Sequence, residues 1–89
     1  MINKREFFQY MSELYEEDYK DDSTYKLLKN IVKIKDKNYI KELKDLTTMN
    51  KRERLAYRHA LAANGKELTP RQVDQYISMV DFALSHIQD

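Results

Sequence analysis

The residues that could do chemistry are few. Two histidines, His59 and His86, are the only imidazoles, and Ser85 stands directly beside the second. A serine–histidine relay would need the two side chains to meet, but neighbours on a helix point about 100° apart. No G-x-S-x-G elbow is present to expose a nucleophile. With no cysteine in the chain, thiol catalysis, disulfides and thiolate metal sites are all excluded. A calcium loop opening at Asp18 would put Lys20 at its third position, Ser23 where glycine is required and Lys29 at the closing glutamate. The single glycine leaves nothing to cradle a phosphate. We therefore expect no enzyme, no cofactor and no metal. His59, near Leu55, reads as a core or boundary histidine, and His86 as a solvated side chain.

Charge is the stronger signal. The total is only +1, yet residues 1–22 carry three basic and seven acidic groups, 23–66 twelve and four, and 67–89 one and four. The chain thus runs acid, base, acid. In the middle, Lys26, Lys29, Lys33, Lys37, Lys41 and Lys44 recur at three- or four-residue steps, followed by Lys51, Arg52, Arg54 and Arg58. Such spacing describes the wet face of amphipathic helices first. Its second reading is a positive strip for nucleic acid, with Tyr39 and Tyr57 placed to stack on bases.

Two further sets point to protein contact. With Val80 facing the core, Phe82 lies about 160° away and Met79 flanks it, so an aromatic and a methionine share a polar face. Glu13, Glu16 and Glu17 form an acidic ridge suited to solubility or to a basic partner.

The elements that must position these residues are helices. Eighty-nine residues make one domain, 1–89, too short to bury two cores. One Gly and one Pro cannot serve the many corners of a sheet. The expected fold is all-α: a compact single-domain bundle of four to five short helices. Helix over 4–19 follows from Asn3 as cap with Glu6, and from Phe7, Phe8, Met11, Leu14 and Tyr15 on one face. Asp22 or Ser23 caps the next, which buries Leu27, Leu28, Ile31 and Ile34, although residues 31–35 also alternate as a strand would. A short helix then buries Ile40, Leu43 and Leu46. Asn50 with Glu53 opens a fourth, in which Ala56, Ala60 and Ala63 leave a smooth face for close packing.

The last helix, about 70–88, is expected to be the longest. Thr69 caps it, Pro70 takes its first position, Gln72 closes the box, and Val73, Ile77, Val80, Leu84 and Ile87 form its seam. The corner before it, "NGKELTPRQV" at 64–73, raises the question of a DNA-reading helix-turn-helix. In that family apolar residues stand just after the turn glycine and again some six and nine positions later, places held here by Lys66, Arg71 and Asp74. Asp74 and Asp81 would also oppose phosphates. Capping rules account for every residue of the corner, so we read it as structural.

Over residues 54–76, "RLAYRHALAANGKELTPRQVDQY" is similar to the third-to-fourth helix corner of class IIa bacteriocin immunity proteins, which are four-helix bundles that protect the producing cell. The likeness spans about a quarter of the chain, and no family is assigned from it. The expectation from the whole sequence is a non-enzymatic, cytoplasmic protein-binding module: an inhibitor, immunity factor or accessory regulator. Its Lys, Asn, Ile and Tyr content fits an AT-rich genome, and small, helix-only, cysteine-free proteins of such genomes often belong to phages or mobile elements. Met79, Phe82, Glu13 and Glu16 are its contact candidates, and a homodimer through Met79 and Phe82 is a further option. The alternative is nucleic-acid binding by the basic segment 26–58. No run is apolar enough to insert in a membrane.

Overall fold

A computed structural model describes residues 2–87. Within them the chain forms five helices and no strand: α1 (Lys4–Tyr15), α2 (Asp22–Val32), α3 (Lys37–Thr47), α4 (Lys51–Ala63) and α5 (Pro70–Leu84). Residues 31–35 therefore resolve as the end of α2 and a short link. None of these helices is long and apolar enough to cross a membrane.

Side chains at the helix starts explain where each begins. Asn3 accepts from the Arg5 and Glu6 N–H groups, Asp36 from Asn38 and Tyr39, and Asp21 (one residue earlier than expected) from Ser23. Complete capping boxes open α4, through Asn50 and Glu53, and α5, through Thr69 and Gln72. The end of α4 is equally well made. Gly65 sits at φ 80°, its N–H donates to Ala62 O at 3.0 Å, and the Lys66 N–H donates to Leu61 O at 2.8 Å. Those two bonds satisfy carbonyls the helix would otherwise leave open.

Two ends differ from expectation. Helix α1 stops at Tyr15 rather than near 19, because Glu16 adopts a left-handed φ of 54°. The chain then doubles back, and the Tyr19 N–H donates to Ser12 Oγ at 3.0 Å. Tyr19 thereby reaches the rings of Phe7 and Phe8, with centroids 6.4 Å away in each case. Helix α5 ends at Leu84, short of 88, but it remains the longest element. Ser85 closes it by donating its hydroxyl to Phe82 O at 2.7 Å.

All four earlier helices pack on α5. A helix with one neighbour needs one apolar stripe, whereas a central helix needs apolar surface on most of its circumference. Accordingly α5 buries Met79 and Ala83 as well as Val73, Ile77 and Val80 of the expected seam. Around it the core takes Phe7 and Met11 from α1, Leu28 and Ile31 from α2 and Leu43 from α3. Phe82 belongs to this core too: its ring lies 5.4 Å from Phe7, 5.1 Å from Tyr10 and 4.5 Å from His86.

That packing corrects the proposed Met79/Phe82 contact face. Met79 is 1% exposed and Phe82 is half-buried among aromatic rings, so neither forms an open patch. His86 is half-buried against Phe82 rather than solvated, with Nδ1 2.9 Å from Phe82 O. Helix α4 departs in the other direction. It has no buried residue; His59, Ala56, Ala60 and Ala63 are all exposed, and the smooth alanine face packs on nothing.

Candidate functional site

Helix α4 rests on α5 through one side only. Arg54, Tyr57, Arg58 and Leu61 are its half-buried residues, spaced at three and four as one helix face requires. Lys51, Arg54, Leu55 and Arg58 line up along the edge of that face. Opposite them, the Thr69 cap holds Pro70 at the start of α5, with Val73 and Asp74 one turn on. Between the two edges lies a groove of about 400 Å³ lined by those seven residues.

The groove has an apolar floor and a basic rim. Leu55 is 48% exposed there, beside Pro70 and the buried Val73. Lys51, Arg54 and Arg58 supply three positive charges against the single carboxylate of Asp74. That carboxylate is already engaged, since Arg54 Nη1 donates to Asp74 Oδ1 at 2.9 Å. The pair is partly solvated and so contributes no more than about 1 kcal/mol to stability. Arg54 Nε is enclosed and has no hydrogen-bond partner among the described residues.

Just beyond one edge of α5 is a second, acidic feature. The end of α1 is fastened to the middle of α5 by Tyr15 Oη with Ser78 Oγ at 2.6 Å. Arg71 Nη2 donates to Glu17 at 2.8 Å and to Tyr15 O at 3.3 Å, and its guanidinium lies over the Tyr15 ring. Gln75 adds a bond to Glu17 at 3.3 Å. Leu14 stands outward at 52% exposure, and the exposed Glu13 and Glu16 leave α1 about 100° and about 160° away from it around the helix. The helical wheel places Leu14 inward with Tyr15, but of the two only Tyr15 is half-buried.

The basic residues are not all alike in this structure. Lys33 lies at the end of α2, Lys37, Lys41 and Lys44 along α3, and Lys51 and Arg52 at the start of α4; all are exposed. Arg54 and Arg58 are half-buried in the groove. Tyr39 is 45% exposed, but Tyr57 is half-buried. Burial chiefly, and then the neighbouring Tyr39, raises the Tyr57 pKa above its ordinary value of 10.0. Tyr76 is raised likewise, by burial first and then by Tyr57 and Tyr39. These three phenols gather where α3, α4 and α5 meet, which leaves Tyr39 alone open for stacking on a base.

Glu13 accepts from Gln9 at 3.2 Å, and Glu16 occupies the left-handed end of α1. No group of three or more His, Asp or Glu residues that could hold a metal occurs among the described residues. The chain matches no family model, no curated protein and no solved structure.

Proposed function

We propose that this is a non-enzymatic protein-binding module whose contact surface is the α4–α5 groove. The observation that carries the reading is the groove's composition: Leu55, Pro70 and Val73 as floor, with Lys51, Arg54 and Arg58 as rim. The apolar floor rewards burial of one partner side chain, and the rim selects carboxylates beside it. The matching partner is an acidic protein segment bearing an apolar anchor. Binding of this kind suits an inhibitor, an immunity factor or an accessory regulator working in the cytoplasm. The Met79 and Phe82 pair has no place in the reading, because both serve the core.

A second reading keeps one specific observation. Lys37, Lys41 and Lys44 are exposed along one face of α3 and Tyr39 is 45% exposed on another face of the same helix, cations and an open ring of the kind single-stranded nucleic acid would use. Display selection on short random peptides, with the full-length protein as bait, separates the two. The docking reading expects enrichment of peptides in which Asp or Glu flanks Leu, Ile or Phe. Leu55→Asp with Arg58→Glu should abolish that enrichment, while Lys37→Glu with Lys41→Glu should leave it. No enrichment, together with salt-dependent capture of DNA or RNA that Lys37→Glu with Lys41→Glu removes, would overturn it in favour of the strip.

A further inference from the structure

The rim of the α4–α5 groove has a spacing as well as a charge. Arg54 is tied to Asp74, whereas among the described residues Lys51 and Arg58 pair with no carboxylate. These two free cations stand seven residues apart on α4, which is about 10.5 Å along the axis and within about 20° of the same direction. Leu55 lies between them, 48% exposed and within about 60° of both. Two cations thus bracket one apolar residue along a single ridge of α4, with Pro70 and Val73 on the other side of the groove.

The walls also limit what a ligand's backbone can do. An extended segment docks by pairing its N–H and C=O groups with a strand edge, and both walls here are helices whose backbone groups bond internally. Even at the start of α5, Pro70 has no N–H, the Thr69 N–H donates to Gln72 Oε1 at 2.9 Å, and the Gln72 N–H donates to Thr69 Oγ1 at 3.1 Å. A helical ligand satisfies its own backbone and needs side-chain contacts alone. The spacing agrees. Residues sharing a face of an extended segment recur every 6.7 Å or so, which puts carboxylates about 6.7 or about 13.5 Å apart. On a helix, residues seven apart are separated by about 10.5 Å, and the residue three or four from each shares their face.

We propose that the groove takes an amphipathic α-helix of a partner protein, bearing two acidic residues seven positions apart and an apolar anchor between them. The helix lies along α4 with its carboxylates on Lys51 and Arg58 and its anchor against Leu55, Pro70 and Val73. The inference rests on the groove being a docking surface. It adds the conformation of the partner segment and the register of its charges.

Fluorescence anisotropy of labelled, end-capped, alanine-rich peptides of about 16 residues, titrated with the full chain, tests this. In the first peptide two Glu flank one Leu at three and four residues. The second has the same composition, but its Glu flank the Leu at two residues on each side, as an extended ligand would present them. The third is the first with Pro beside the Leu. The first should bind at least about tenfold tighter than either of the others. Lys51→Glu should weaken the first peptide, and exchanging one of its two Glu for Lys should restore binding at one end only, because a single register pairs that end with position 51. Leu55→Asp should remove binding of all three. Equal or tighter binding of the second peptide, or indifference to Pro, overturns the helix while the groove stands as a docking surface. Restoration at neither end or at both overturns the register. Binding by none of the three overturns the docking reading and the helical partner with it.

Discussion

Helices α4 and α5 make an instructive pair. They are consecutive, span 13 and 15 residues, and open with the same reciprocal capping box. Yet α5 buries five side chains, and α4 buries none. Identical local devices thus define the ends of a helix without deciding its place in the packing. Place follows from how many neighbours an element must serve. The central helix meets four others, whereas α4 meets α5 alone among the stronger contacts.

The sharpest way to test this contrast is to strike the core that α5 organises. Phe7 is fully buried and lies 5.4 Å from Phe82. Phe7→Ala should cost about 3–5 kcal/mol, a large part of the roughly 5–15 kcal/mol that holds such a domain together. Urea unfolding followed by circular dichroism would show it as a lowered midpoint. If the loss is below about 1 kcal/mol, the core is not where we place it.

Next in size is the cap of α5. Thr69→Ala removes the acceptor for the Gln72 N–H and should cost about 1 kcal/mol of global stability. Asn50→Ala removes the matching acceptor in α4. Because α4 opens without disturbing the core, hydrogen exchange should show this second change mainly as faster exchange within α4. Equal effects of both changes on all five helices would erase the distinction between the two regions.

A smaller effect is expected at alkaline pH. Burial raises Tyr76 above 10.0, so the folded state retains a proton that the unfolded state releases. The resulting stability is fully present below the unfolded value and is lost as pH rises through the folded one. Unfolding midpoints should therefore fall above about pH 10, and Tyr76→Phe should flatten the fall. A slope unchanged in that variant would place the alkaline transition elsewhere, for example at Tyr10 or Tyr15, which burial also raises.

The least effect on stability is expected in the groove. Leu55→Asp changes a side chain that is half exposed and should move the unfolding midpoint by under about 0.5 kcal/mol while ending docking. A loss of several kcal/mol would show that α4 carries core after all.

What could be read from residues alone followed the range of the interactions. Asn50 with Glu53, Thr69 with Gln72, and Gly65 act over three or four residues, so the helices and most of their starts were legible. Met79 and Phe82 were misplaced because a single-stripe wheel assumes one packed side, and α5 has several. Leu14 was misplaced because a wheel shows which residues share a face but not which of them a neighbouring element covers. The groove depends on Arg54 meeting Asp74 across twenty residues, and the fastening of the α1 end to α5 on Tyr15 meeting Ser78 across sixty-three. No local pattern announces contacts of that span. Arg54 and Arg58 were visible as part of a basic series, but nothing in the series separated them from Lys37 or Lys41.

The bareness of α4 has a consequence for how such a protein changes over generations. Most of its positions are exposed and none is buried, so substitutions there change the surface without threatening the scaffold beneath. Val80 or Phe7 has no such freedom. Surface chemistry and foldedness are thereby inherited on separate parts of one short chain, and the first can drift while the second is held.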